Sequence, residues 1–71
     1  MMLDINGKQY RLFRVDSIHE DDIFVECREV DSVELVCEVR IDATRRAYVM
    51  PFAKEVDLEV LAAVVEYVRA L

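Results

Sequence analysis

Apolar and polar residues alternate from Val33 to Asp42, with Val33, Leu35, Cys37, Val39 and Ile41 set between Glu34, Val36, Glu38, Arg40 and Asp42. Side chains along a strand point to opposite faces with a period of two, so the stretch predicts a half-buried antiparallel strand. One face of its sheet must be covered. The only segment long enough to do so is the Val/Leu/Ala-rich C-terminal part of the chain.

Upstream, residues 2–5 and 8–15 flank Asn6-Gly7, the dipeptide that best tolerates the positive φ values of a type I′ hairpin turn. A two-residue loop pairs Ile5 with Lys8 and Leu3 with Tyr10, so that Leu3, Ile5, Tyr10 and Leu12 share a face. Phe13 and Val15 then change parity. Either a β-bulge near Leu12 restores the alternation, or Phe13 and Val15 lie on the opposite face. Both arrangements satisfy the pattern.

Residues 22–30 form a third predicted strand, with Ile23, Val25 and Cys27 inward. Two registers bring these odd positions beside the odd inward set of the next strand. A Val30-Asp31-Ser32 loop sets Arg28 against Glu34 and Asp22 against Arg40. Moving the loop one residue sets Glu26 against Glu38, and Cys27 against Cys37. Like charges directly opposite are unfavourable, so the first register is preferred. Ala43-Thr44 centres the next turn and residues 45–52 form the last strand. Pairing Asp42 with Arg45 turns Tyr48, Met50 and Phe52 inward, and Pro51 sets this strand at an edge or ends it there.

The chain closes with a predicted helix over 57–70, N-capped by Asp57. Leu58, Val60, Leu61, Val64, Val65, Tyr67, Val68 and Leu71 fill an arc of about 180°, wider than the ~100° stripe a core-facing helix needs. The fold class is therefore α+β: a five-stranded antiparallel meander in one small domain, residues 1–71, with one C-terminal helix packed on one face. A small bent, barrel-like sheet with the same helix is the alternative.

Length makes such a core marginal, because a chain of 71 residues buries only about 60–65% of the surface it exposes when unfolded. Self-association or dense packing is the expected supplement. Fifteen acids against nine bases give a net charge of −6. That field repels phosphate, which argues against nucleic acid or an anionic membrane as partner. No apolar run approaches a membrane span and no basic-then-apolar leader opens the chain, so a soluble cytoplasmic protein is expected.

Candidate chemistry is sparse. Cys27 and Cys37 are the only thiols and His19 the only imidazole, and no glycine-rich loop cradles a phosphate. Both cysteines fall on inward parity, which reads as two reduced core thiols; the sharper reading is a cross-strand disulfide or redox pair. The loop over 16–22 gathers Asp16, Glu20, Asp21, Asp22 and His19. It lacks the glycine and ligand spacing of a Ca²⁺ loop and the nitrogen and sulfur ligands of zinc, so a solvated acidic loop accounts for it better.

No catalytic residue, cofactor or metal ligand is assigned. The expected function is a non-catalytic acidic protein-interaction module that self-associates as a homodimer or meets an unidentified protein partner. Its rival is a small metal- or thiol-dependent enzyme, or a metal-binding protein, using the 16–22 loop. The candidate interface combines Phe24, Val36 and Val49, outward by parity, with Val60, Tyr67 and Leu71 of the wide helix arc.

Overall fold

Five strands, β1 (Met2–Ile5), β2 (Lys8–Asp16), β3 (Ile23–Glu29), β4 (Leu35–Ile41) and β5 (Ala47–Pro51), precede one helix, α1 (Leu58–Arg69), in a computed structural model that describes residues 1–17 and 21–71. The strands form one sheet in the order β1-β2-β3-β4-β5, each antiparallel to its neighbour. The sheet is not closed, so the meander describes it and the barrel does not. No helix among the described residues is long and apolar enough to cross a membrane.

The first hairpin follows its turn chemistry. Asn6 at φ 52° and Gly7 at φ 79° supply the two positive values of a type I′ turn, and Ile5 pairs with Lys8 and Leu3 with Tyr10. Pairing of β2 with β3 then runs unbroken from Tyr10–Glu29 to Asp16–Ile23. Strand two has no bulge. Phe13 and Val15 lie on the face opposite Tyr10 and Leu12, and Arg14, carried to the inner rim, is held by Asp16 at 2.6 Å.

The bulge sits in β4 instead, and it corrects the predicted register. Cys27 faces Cys37 and Glu26 faces Glu38, after which the pairing shifts so that Arg28 faces Leu35. Val36 is the extra residue. It turns inward and is 7% exposed, while Leu35, predicted inward, moves to the half-buried outer side. Like-charge avoidance did not decide the register because Arg28, on the same strand, neutralises Glu26. Arg28 Nη2 donates to Glu26 Oε1 at 3.0 Å, and Arg40 Nη1 donates to Asp22 Oδ2 at 3.2 Å. The Val36 carbonyl also accepts two bonds, from the N–H of Phe52 at 3.0 Å and of Ala53 at 3.1 Å. The bulge therefore fixes where the chain leaves β5.

A second correction concerns β5. Ile41 pairs with Ala47, Val39 with Val49 and Cys37 with Pro51, one residue away from the predicted pairing. A slip of one exchanges the faces of the whole strand, so Val49 points to the helix side and Tyr48 and Met50 point away from it. The cause is Asp42. Its Oδ1 accepts from the Thr44 N–H at 2.9 Å, the Thr44 hydroxyl at 2.7 Å and the Arg46 N–H at 3.0 Å. With Arg45 at φ 68°, these bonds build a loop of Ala43, Thr44 and Arg45 in place of a two-residue turn.

Asp57 caps α1 as its position predicts, accepting from the Glu59 N–H at 2.8 Å. Its other oxygen accepts from Asn6 Nδ2 at 2.9 Å, which ties the helix start to the first hairpin. Val60 and Val64 enter a core of Tyr10, Leu12, Val25, Cys27, Val36, Cys37, Val39 and Ile41. Tyr67, Val68 and Leu71 pack on its margin. The sheet thus absorbs most of the wide apolar arc, and Leu58, 77% exposed, is the residue left out.

Candidate functional site

The candidate interface does not form one surface. Val36 and Val60 are buried in the core, and Tyr67 and Leu71 are half-buried against it. Phe24 alone keeps its place on the sheet face away from the helix. Val49 lies on the helix side, where it lines an open groove of about 250 Å³ with Val39, Ala47, Val65 and Val68.

Three rows of side chains cross the outer sheet face, as the registers require. Arg11, Arg28 and Leu35 form one row, Phe13, Glu26, Glu38 and Met50 the next, and Val15, Phe24, Arg40 and Tyr48 the third. Apolar and charged groups interleave there. The Arg40 guanidinium lies 4.7 Å from the centre of the Tyr48 ring, and that of Arg11 lies 5.8 Å from the Phe13 ring. Cations over aromatic faces shield those rings from water while leaving the face polar. This face is therefore largely satisfied by its own contacts.

The free edge of β5 is different. Arg46 accepts from the Asp42 N–H through its carbonyl, and Phe52 donates its N–H to the Val36 carbonyl. Along an antiparallel ladder the bonding residues alternate, so Arg46, Tyr48, Met50 and Phe52 direct their backbone groups to β4. Ala47 and Val49 then direct N–H and C=O to the open side. Pro51 presents only a carbonyl there, which is the one strand position where its missing N–H takes nothing from the ladder. Around these groups stand Tyr48 at 43%, Val49 at 46% and Phe52 at 56% exposure. The opposite edge, β1, has the charged Asp4 among its exposed residues. Open edges usually carry charge, proline or a cover, and of these β5 has only Pro51 within Ala47–Pro51.

Chemistry remains sparse in three dimensions. Among the described residues no group of three or more His, Cys, Asp or Glu side chains is placed to hold a metal ion. His19 and Glu20 of the acidic 16–22 loop lie outside the described residues, while Asp16 and Asp22 are engaged by Arg14 and Arg40. An open groove of about 570 Å³ is lined by Lys8, Tyr10, Glu29 and Glu34 together with the 53–57 segment. It brings no nucleophile beside a base. Cys27 and Cys37 are free, fully buried and directly opposite each other.

Sequence reasoning set β5 at an edge from Pro51 but reversed its faces, because these depend on the Asp42 loop. The signal available was the Asp42-Ala43-Thr44 run, whose side chains bond their own backbone two residues on. No protein-family model matches this chain, and neither a curated protein nor a solved structure matches it.

Proposed function

We propose that this chain is a non-catalytic protein-interaction module that self-associates by pairing β5 with β5 of a second copy. The observation that carries the reading is the open edge of β5, where unpaired backbone groups of Ala47 and Val49 stand among exposed Tyr48, Val49 and Phe52. An antiparallel edge is its own complement under a two-fold axis, and closed two-fold dimers are the commonest symmetric assembly. Pairing centred on Val49 joins the two Val49 residues by reciprocal bonds and adds a bond from each Ala47 N–H to the opposite Pro51 carbonyl. The missing proline N–H leaves only the two Ala47 carbonyls at the ends without a partner. Antiparallel pairing also brings the Arg45-Arg46 end of one strand towards Glu55 of the other, which offsets locally the repulsion between two copies of net charge −6. Apolar burial at the seam adds what so small a core lacks.

The test is the solution mass of the protein expressed alone, by sedimentation equilibrium up to several hundred micromolar. The expected result is a dimer that Val49→Pro converts to a monomer, since that substitution removes an edge N–H and leaves the β4 ladder intact. Val49→Lys, which places a charge at the seam, has the same expected outcome. A wild-type monomer throughout the range removes the self-association reading. A dimer broken by Phe24→Asp and untouched by Val49→Pro transfers the contact to the outer sheet face and removes the edge.

A further inference from the structure

From their placement on one rung of the sheet, we infer that Cys27 and Cys37 form a site of reversible thiol–disulfide exchange inside the folded domain. The two residues are direct cross-strand partners, both fully buried, on the last regular rung before the β4 bulge. The rung is a hydrogen-bonded one. Residues 36, 38, 40 and 42 of this ladder bond to β5, which leaves Cys37, Val39 and Ile41 bonding to β3. Cα atoms across such a rung are about 5.5 Å apart, inside the span a disulfide bridges. Opposed Cβ atoms stand about 4.5–5.5 Å apart and a disulfide holds them at about 3.8 Å, so closure pulls the strands together. A bond formed against that resistance is readily reduced again. The adjoining bulge, where the ladder is already interrupted, is the place where the strands can yield.

The two sulfurs meet across the rung: the contact with Cys37, together with burial, pushes the Cys27 thiol up, and the contact with Cys27 draws Cys37 down. Attack by Cys37 first and attack by Cys27 first give the same disulfide with the same balance. The oxidant is a small-molecule disulfide. With Cys37 first, the Cys37 thiolate bonds to one of its sulfurs and expels the other as a thiolate. Cys27, deprotonated in turn, attacks the Cys37 sulfur of the mixed disulfide and expels the second thiolate. Two protein thiols become one disulfide, and the oxidant becomes two thiols. Access comes from opening of the helix cover or from the folding reaction, because neither sulfur is exposed in the closed domain.

The experiment refolds reduced protein from urea in glutathione buffers of increasing oxidised fraction, so that burial does not limit access. The expected product is a monomeric chain about 2 Da lighter with a proteolytic fragment joining Cys27 to Cys37, returned to the starting mass by dithiothreitol. Its backbone amide spectrum keeps the β3–β4 ladder. Cys27→Ser shows no such loss and takes up glutathione or stays free. Free thiols, glutathione adducts or intermolecular dimers as the only wild-type products overturn the inference, as does an oxidised form that has lost the ladder. Val49→Pro gives the same result as wild type, since the exchange is independent of self-association.

Discussion

Truncation of two neighbouring side chains, Leu35→Ala and Val36→Ala, separates the β4 register in the structure from the one that strict alternation requires. Val36 is 7% exposed within the core, and Leu35 is half-buried on the outer face beside Arg28. Val36→Ala removes two buried carbons at about 0.8 kcal/mol each, and the space left behind raises the cost to about 2 kcal/mol. Leu35→Ala removes more atoms, but from a face that water can reach, and costs less than about 1 kcal/mol. A chain of this length has a total stability of about 4–11 kcal/mol, so both variants stay folded. Urea denaturation reads the difference. With a slope of about 1 kcal/mol/M, Val36→Ala lowers the midpoint by about 2 M and Leu35→Ala by less than half of that. If Leu35→Ala lowers the midpoint more than Val36→Ala, the bulge is absent and the register argument fails with it.

Other outcomes follow from the loops and caps. Val33→Gly relieves a β-branched residue held at φ 59° and raises the urea midpoint, the relief of about 1–2 kcal/mol outweighing the added chain entropy of glycine; a lower midpoint contradicts the strain. Gly7→Ala meets no atom within 4 Å, so its cost is the backbone penalty at φ +79°, about 1–2 kcal/mol by the same denaturation. Acid lowers stability through two carboxylates. The Thr44 hydroxyl holds Asp42 below its ordinary 3.8, and Asn6 does the same for Asp57. Both contributions are complete above the unfolded value and vanish as pH falls through the lower folded values. Thermal midpoints between pH 5 and pH 2 therefore fall less steeply in Asp42→Asn/Asp57→Asn, and an unchanged slope refutes that assignment.

Elements whose signal is local were legible in the sequence. Asn6-Gly7 specified both its turn and the pairing on either side, and Asp57 marked the helix start from its position ahead of the apolar run. The meander and its helix cover followed from periodicity. Register was harder to read, since it rests on where one extra residue goes. Alternation from Val33 to Asp42 carries one apolar residue on its polar parity, Val36, and the Leu35-Val36-Cys37 run was the signal, read as an outward patch, of the residue that turns in. Cross-strand charge repulsion pointed to the wrong register because Arg28, two residues along the same strand, neutralises Glu26. In β5 the error had a single source, the three bonds accepted by one Asp42 oxygen, which lengthen the loop by one residue and reverse the faces. The candidate interface inherited both errors, and for that reason Val36 left it for the core and Val49 changed sides.

Hydrogen exchange of individual backbone amides at two protein concentrations tests the self-association reading at the groups that define it. Tyr48 and Met50 bond to β4 and are protected in a monomer or a dimer, whereas Ala47 and Val49 face the open edge. The predicted result is that the amides of Ala47 and Val49 exchange freely at low micromolar concentration and become protected at several hundred micromolar, with Tyr48 and Met50 protected at both. Free exchange of Val49 at every concentration, in a sample whose β4–β5 ladder is intact, contradicts the pairing.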